Sequence, residues 1–131
     1  MPTIQDLLPE LEAACEDLLW RSEADYPFEV VVLTANAHNL LAALKEGYPG
    51  DTPIVPLSLN DFFDQATQER AWFDSRELSL VQRYRNLRDL LEATLENLQV
   101  YRIGRVEMDV YLVGETEDKQ AVGVKTKIVE T

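Results

Sequence analysis

The sequence predicts an α+β protein of layered helices and strands, and three patterns carry that prediction. Residues 106–113 and 121–131 alternate apolar and polar side chains, which is typical of strands with one buried face. Gly114 opens the polar stretch between them, so the two strands are expected to form an antiparallel hairpin. Residues 4–19 and 74–97 place apolar side chains three and four positions apart, as amphipathic helices do. Helices before and between strands, with an antiparallel end, give a layered α+β domain.

The start of the chain predicts a helix, a turn and a strand. Thr3 is positioned to cap the helix, with Asp6 three residues further on. Pro9 is expected to bend the helix or delay its start, because proline removes a backbone hydrogen bond. Residues 20–27 are expected to form a turn. The unbroken apolar succession in 28–34 then predicts a strand buried on both faces.

The middle of the chain predicts a short helix and a short strand. A helix is expected over 35–46, capped by Thr34 or Asn36. A strand is expected over 54–57, near a sheet edge, because Pro56 cannot donate a ladder hydrogen bond.

The second half predicts a brief helix, the longest helix and a strand that leads into the hairpin. Asn60 is expected to cap the brief helix, and Asp74 with Glu77 forms a capping box for the long one. The long helix is expected to run to about Asn97, and a strand to cover 100–103. The inward-facing residues of the long helix are expected to be Val81, Tyr84, Leu87, Leu91, Leu95 and Leu98.

The alternation in the final hairpin also predicts its register. With the hairpin centred on Glu117, Asp109 lies opposite Lys125 and Glu107 lies opposite Lys127. Each such pair on an exposed face contributes about 0.2–1 kcal/mol. A slip of one residue would turn the apolar face to water. The buried face of the first strand is expected to hold Val106, Met108, Val110 and Leu112.

Length and charge narrow the class of protein. The 131 residues suit one domain, 1–131, with a hydrophobic core. The formal net charge is −12, and residues 1–64 account for −10 of it, with 12 acidic and 2 basic side chains. Such a surface repels nucleic acid and anionic membranes and attracts basic proteins. The alternative is that the acidic residues serve solubility alone.

Cysteine usage and apolar runs predict a cytoplasmic protein. Cys15 is the single cysteine, so an intrachain disulfide is impossible, and its spacing places it among core residues. The start of the chain lacks the basic segment and apolar stretch of a signal peptide. The longest apolar run, Leu40 to Leu44, is too short to span a membrane.

Few residues suit catalysis. His38 is the single histidine, and the chain has no phosphate-binding glycine loop, dinucleotide fingerprint or nucleophile elbow. No cofactor is predicted. Carboxylates are plentiful, so a small acidic hydrolase or a ligand-binding domain stays open, although nothing in the sequence brings two carboxylates together in a cleft. A binding protein is favoured over an enzyme.

Three positions suit binding. The last strand runs to Thr131, whose terminal carboxylate and hydroxyl suit a hard divalent cation or a group of arginines. The alternative is an edge strand that happens to end there. Trp72 lies in a polar loop, where it either anchors an interface or folds over the adjacent helix. Glu23 lies between a helix and a strand, and its alternative is an ordinary solvated acid.

Four segments resemble one protein family, in matching order. They are residues 22–30, 61–67, 101–116 and 126–131. They resemble the nuclease A inhibitor family, whose members are small acidic inhibitors of a sugar-non-specific, magnesium-dependent ββα-metal nuclease. Residues 34–56 show little of this resemblance. The resemblance implies an α/β/α layered sandwich, in which helices cover both faces of a central, mainly antiparallel sheet.

The resemblance also implies roles for the three binding positions. Thr131 matches the family's C-terminal threonine, which reaches the magnesium ion of the nuclease through its hydroxyl and terminal carboxylate. Glu23 matches a glutamate that pairs with an active-site arginine of the nuclease, and Trp72 matches an interface tryptophan. Ala71 departs from the pattern, because a relative has an acidic residue there. The loop around Trp72 is therefore expected to bind less tightly or to a different nuclease.

The expected function is inhibition of a metal nuclease by occlusion of its active site. The protein is expected to be a monomer alone and to form a 1:1 complex with the nuclease, without direct contact to nucleic acid or membrane. One alternative is a family member that binds a different basic or metal-bearing protein. The other is the small acidic hydrolase or ligand-binding domain.

Overall fold

The computed structural model describes residues 3–34 and 39–130, which contain four α-helices and seven strands. The helices are α1 (Ile4–Cys15), α2 (Leu40–Lys45), α3 (Leu59–Phe63) and α4 (Ser75–Thr94), with a 3₁₀ helix at Gln65–Thr67. The strands are β1 (Leu19–Arg21), β2 (Asp25–Pro27), β3 (Glu29–Leu33), β4 (Ile54–Leu57), β5 (Glu96–Gly104), β6 (Glu107–Glu115) and β7 (Ala121–Val129).

Five strands form one antiparallel sheet in the order β3-β7-β6-β5-β4, and β1 pairs with β2 in a small second sheet. The last strand, β7, therefore lies inside the larger sheet, with β3 on one side and β6 on the other. The predicted antiparallel sheet with a C-terminal hairpin is confirmed. The strand predicted over 54–57 is β4, and it lies at a sheet edge as Pro56 predicts.

Helices cover both faces of the larger sheet. The main core lies on one face and joins α1, α3 and α4 to the strands. A second core on the other face contains Leu40 and Leu44 of α2. Leu112 belongs to the first core and Val113 to the second, because neighbouring residues of a strand point to opposite faces. The α+β class is confirmed, and the layering agrees with the α/β/α arrangement that the resemblance implies.

The segment 20–27 is a hairpin rather than the predicted turn. The strands β1 and β2 pair antiparallel, with Arg21 opposite Asp25. Trp20 is buried between two exposed neighbours, and its ring stacks on Phe62 with 4.3 Å between centroids. One buried ring therefore fixes the hairpin to the core. Strands of three residues are too short for their alternation to stand out in a sequence.

The prediction that residues 28–34 are buried on both faces is confirmed only in part. Val30 packs against the main core and Val31 and Leu33 pack against the second core, but all three are only partly buried. The strand in this segment, β3, lies at the edge of the sheet. Val30 is half-buried against the main core, whereas Val32, two residues further along the same face, is 51% exposed. An apolar succession is compatible with an edge strand, because much of a protein's surface is contributed by apolar atoms.

The predicted register of the hairpin is wrong by two residues. Asp109 lies opposite Lys127 rather than Lys125, and Glu107 lies opposite Val129 rather than Lys127. A shift of two residues leaves every side chain on its predicted face. Lys125 still reaches Asp109 across the diagonal, with 4.0 Å between Nζ and Oδ2.

The loop of the hairpin explains the shift. The hairpin is centred on Asp118 instead of Glu117, and the Thr116 amide donates to the Gln120 carbonyl at 3.0 Å. Lys119 has φ 61°, in the left-handed region. A three-residue loop that ends in this conformation is a common hairpin connection. Lysine does not mark such a position in a sequence as glycine or asparagine would.

The first hairpin strand also starts and ends later than its pattern predicts. Met108, Val110 and Leu112 are buried as expected, but Val106 precedes β6 and is 50% exposed. Gly114 lies inside β6 and does not open the loop. A Cβ at Gly114 would lie 2.8 Å from the Cβ of Leu95, so close packing requires glycine there.

The long helix begins as predicted and ends early. Asp74 caps α4, since its Oδ1 accepts a hydrogen bond from the Glu77 amide at 2.9 Å. The helix ends at Thr94 because Leu95 is extended and Asn97 has φ 53°. The next strand therefore covers 96–104 rather than 100–103. The inward-facing positions are confirmed at Val81, Tyr84, Leu87, Leu91 and Leu95, while Leu98 lies in β5 and is partly buried.

Of the two other predicted caps, one is wrong and one is right in position only. Ser58, not Asn60, caps α3, because the Asp61 amide donates to Ser58 Oγ at 2.9 Å. Thr3 is the N-cap residue of α1, as predicted, but its hydroxyl donates to the Asp6 carboxylate at 3.1 Å and accepts no hydrogen bond from a helix amide.

Two further predictions concern the first two helices. Pro9 lies inside α1, which starts at Ile4, so of the two expected effects of Pro9 the delayed start does not occur. The helix predicted over 35–46 is described from Leu40 as α2, with Asn39 at its start, and the proposed cap Asn36 lies outside the described residues.

Candidate functional site

On the side away from β6, two elements support β7 along its whole length. The edge strand β3 pairs with residues 121–125 of β7. From Thr126 onward, the β1–β2 hairpin bonds to β7 in place of β3. Thr126 Oγ1 donates to the Pro27 carbonyl at 3.1 Å, and the Val129 amide donates to Ser22 Oγ at 3.0 Å. The strand is therefore held as far as Val129, two residues before the last residue of the sequence.

The loop between β1 and β2 places Glu23 beside the end of β7. The backbone N–H of Glu23 donates to the Val129 carbonyl at 3.2 Å. Ser22 Oγ accepts from the Val129 amide and donates to the Ala24 carbonyl at 2.9 Å. These bonds join the loop to the strand end, and the Glu23 side chain is exposed. The fold thus brings a predicted site residue next to the terminal segment.

A turn lies on the opposite side of the same strand end. The Glu130 amide donates to the Val106 carbonyl at 3.0 Å, and Glu107 lies opposite Val129. The terminal segment is therefore flanked by the Glu23 loop on one side and by residues 104–107 on the other.

Ser22 positions the loop relative to the strand, and its replacement gives a test of that arrangement. Ser22→Ala removes the acceptor for the Val129 amide, a bond whose loss typically costs about 0.5–1.5 kcal/mol. We expect faster hydrogen exchange at the Val129 amide, measured by NMR. Ser79→Ala, at an exposed serine of α4, is the matched control and should leave that exchange rate unchanged. An unchanged rate at Val129 in the Ser22 variant would contradict the positioning role.

Trp72 projects from the loop before α4. Its side chain is 76% exposed, so the alternative in which it folds over the adjacent helix is wrong. Phe73 meets Trp72 edge to face, with 6.2 Å between ring centroids, and is itself partly buried. The Phe73 amide donates to the Arg70 carbonyl at 3.0 Å and closes a turn. The loop therefore turns one ring inward and leaves the other on the surface.

Arg85 of α4 fixes the base of this loop. Its Nε and Nη2 both donate to the Thr67 carbonyl, at 3.1 and 2.7 Å. Its Nη1 pairs with Glu69 Oε2 at 2.9 Å. A loop held this way loses less conformational freedom when it binds a partner.

An apolar cleft of about 230 Å³ lies between β1 and the loop that carries Trp72. Arg21, which precedes the Glu23 loop, borders it, and so does Phe73, which follows Trp72. Trp20 and Tyr84 line it as well. The loop that carries Trp72 thus borders the same cleft as β1, the strand that leads into the Glu23 loop.

Two residues singled out in the sequence lie outside the described residues. They are Thr131, the predicted metal-capping residue, and His38. The chain is described as far as Glu130, the residue bonded to Thr131. Of the three predicted site residues, Glu23 and Trp72 are therefore located in the structure.

Cys15 is a buried thiol, as its spacing predicts. Burial raises its pKa to about 11, and the nearby charge of Arg83 opposes that rise. The thiol is therefore protonated at neutral pH and unsuited to act as a nucleophile. Within residues 3–34 and 39–130, no three His, Cys, Asp or Glu side chains are grouped to hold a metal ion. No helix in that part of the chain is long and apolar enough to cross a membrane.

Sequence reasoning missed Ser22 and Arg85. A serine directly before a polar turn is a recognisable signal, because its hydroxyl often bonds nearby backbone groups. Its partner Val129 is 107 positions away, however, which local patterns do not reveal. Arg85 resembles any solvated arginine of a helix, and only the fold brings it to Thr67.

Comparison with known proteins identifies the family. A search of curated proteins returns no match. The profile of the family described as nuclease A inhibitor-like protein matches residues 5–131, which is nearly the whole chain. The match spans all three candidate positions, Glu23, Trp72 and Thr131. The chain therefore belongs to the nuclease A inhibitor-like family and has, in general terms, the role of a nuclease inhibitor.

Proposed function

We propose that this protein inhibits a sugar-non-specific, magnesium-dependent nuclease by occupying its active site. Thr131 binds the metal ion of the nuclease through its hydroxyl and terminal carboxylate, and Glu23 pairs with an active-site arginine. The observation that carries the proposal is the pair of hydrogen bonds between the Ser22–Glu23 loop and Val129, in which the Val129 amide donates to Ser22 Oγ at 3.0 Å and the Glu23 amide donates to the Val129 carbonyl at 3.2 Å. They hold an exposed glutamate beside the segment that leads to the terminal carboxylate.

The chemistry follows from what a metal nuclease binds. Such an active site is built for a phosphate group and combines a divalent ion with basic side chains. A terminal carboxylate has a reference pKa of about 3.3–3.7, so it is ionised at neutral pH and can replace a phosphate oxygen on the ion. Glu23 neutralises the arginine that would otherwise hold the substrate. Neither group contains a phosphodiester bond, so the nuclease has nothing to cleave.

The acidic surface supports the approach to such an enzyme. The formal net charge of −12 favours encounter with a basic, nucleic-acid-binding surface. Exposed charges of this kind act mainly on the association rate and lose their effect at high salt. On this proposal the protein is a binding protein rather than an enzyme, and it works in the cytoplasm as a 1:1 complex.

Trp72 is proposed as an anchor residue at the edge of the same interface. An exposed tryptophan on a braced loop offers a large contact area at little entropic cost. Trp72→Ala is expected to raise the dissociation rate of the complex and weaken binding by about 2–4 kcal/mol, measured by surface plasmon resonance. Val32→Ala, on the edge strand β3, is the control and should bind normally. Equal dissociation rates for both variants would remove Trp72 from the interface.

The direct test is digestion of DNA by a ββα-metal nuclease in the presence of the pure protein. Stoichiometric loss of digestion supports the proposal. Full digestion at a large excess of the protein would overturn it and favour a different basic or metal-bearing partner.

A further inference from the structure

We propose that the turn of residues 104–107 is an additional contact surface for the nuclease, with Val106 meeting an apolar patch beside the nuclease's metal ion. This inference rests on the proposed function, and it concerns a segment to which the family resemblance assigns no role.

Val106 lies directly beside the end of β7. Its carbonyl accepts the Glu130 amide at 3.0 Å, so it is a direct neighbour of the terminal segment. A protein–protein interface of ordinary size covers about 800 Å² on each partner, a disc of roughly 16 Å radius. A nuclease centred on this strand end therefore covers Val106 as well as the Glu23 loop on the other side.

The side chain of Val106 is apolar and suits a contact from which water is excluded. Val106 is apolar and lies between the charged residues Arg105 and Glu107, yet it is 50% exposed. The centres of interfaces are depleted in charge and their rims are polar. An apolar contact next to the metal excludes water, and electrostatic interactions are stronger where water is excluded.

The turn of residues 104–107 is held rigidly. Gly104 has φ 123°, and a Cβ at this position would lie 2.4 Å from the Glu107 carbonyl oxygen. The Gly104 amide donates to the Pro53 carbonyl, and Arg105 Nη2 donates to the Asp51 carbonyl, both at 3.0 Å. The turn is therefore braced from the segment before β4 and presents Val106 in a fixed place, which lowers the entropic cost of binding.

The experiment compares substitutions at two valines of equal exposure. Val32 is 51% exposed and pairs with Val122. Val129 lies seven positions after Val122 along β7, a distance of roughly 23 Å. We expect Val106→Ala to raise the inhibition constant about 3–10-fold and Val106→Asp about 30-fold or more. Val32→Asp should change it less than about twofold, as expected outside an interface.

A second arm separates this contact from that of the chain end. With magnesium removed by a chelator, Val106→Asp should weaken binding to the nuclease by the same factor, because an apolar contact does not need the ion. Melting temperatures check that each variant is folded. If Val106→Asp unfolds, Val106→Thr, which keeps the shape of the side chain, replaces it.

The possible results distinguish failure of this inference from failure of the proposed function. Normal inhibition by the Val106 variants, with an inhibitory wild-type chain, overturns the inference and leaves the proposed function intact. Equal losses from Val106→Asp and Val32→Asp also overturn it. A wild-type chain that fails to inhibit overturns the proposed function first and this inference with it.

Discussion

A chain extended beyond Thr131 is expected to lose inhibition of the nuclease almost completely. A C-terminal tag of a few residues converts the terminal carboxylate into an amide, which carries no charge and is a far weaker ligand for a divalent ion. It also adds bulk where the ion must approach. We expect the inhibition constant to rise by at least about 30-fold, and by about 10³-fold or more toward the upper end, since truncating one partner of a buried charge pair costs about 2–5 kcal/mol or more. Inhibition of DNA digestion measures the effect.

The same tag at the N-terminus is the matched control. The Ile4 amide donates to Asp118 Oδ1 at 3.3 Å, so the start of α1 lies beside the β6–β7 loop. That loop is at the opposite end of β7 from Val129. An N-terminal tag should therefore leave inhibition unchanged. Full inhibition by the C-terminally tagged protein would refute metal binding by the chain end.

Replacement of Glu23 by glutamine is expected to weaken the complex without affecting the fold. The variant keeps the size of the side chain and the backbone hydrogen bond to Val129 but removes the charge that would pair with an arginine. Losing one partner of such a pair costs about 2–5 kcal/mol of binding free energy, mostly as faster dissociation. Isothermal titration calorimetry against the nuclease measures the loss, and a thermal melt checks the fold.

Glu117→Gln provides the control for net charge. Glu117 is exposed in the β6–β7 loop, so this variant makes the same change in charge far from the strand end. Both variants should slow association slightly at low salt, but only Glu23→Gln should speed dissociation. A drop in melting temperature as large as the loss of binding would instead point to a structural role for Glu23.

The hairpin shows how much of the fold was predictable. Alternation alone identified Met108, Val110 and Leu112 as buried, because a strand with one buried face has a period of two. It could not give the register, which depends on the left-handed conformation of Lys119. The β1–β2 hairpin was missed for a related reason, since its strands owe their place to the tertiary packing of Trp20.

The candidate site was predictable in its residues but not in its arrangement. Glu23 and Trp72 are singled out by type and by resemblance, yet a sequence does not show that the Glu23 loop lies beside the end of β7 or that Trp72 is exposed. The bond between Ser22 and Val129 joins positions 107 apart and depends on the whole sheet being formed. Val106 was expected to be buried, and its exposure became informative only once the structure placed it beside Glu130.

The interior position of the final strand has a consequence for synthesis on the ribosome. β7 fills the gap between β3 and β6 and follows both of them in the chain, so a nascent chain leaves two sheet edges unpaired until β7 emerges from the exit tunnel. Such edges invite aggregation and recognition by chaperones. Chains that terminate before β7 should therefore be degraded, because their sheet cannot close.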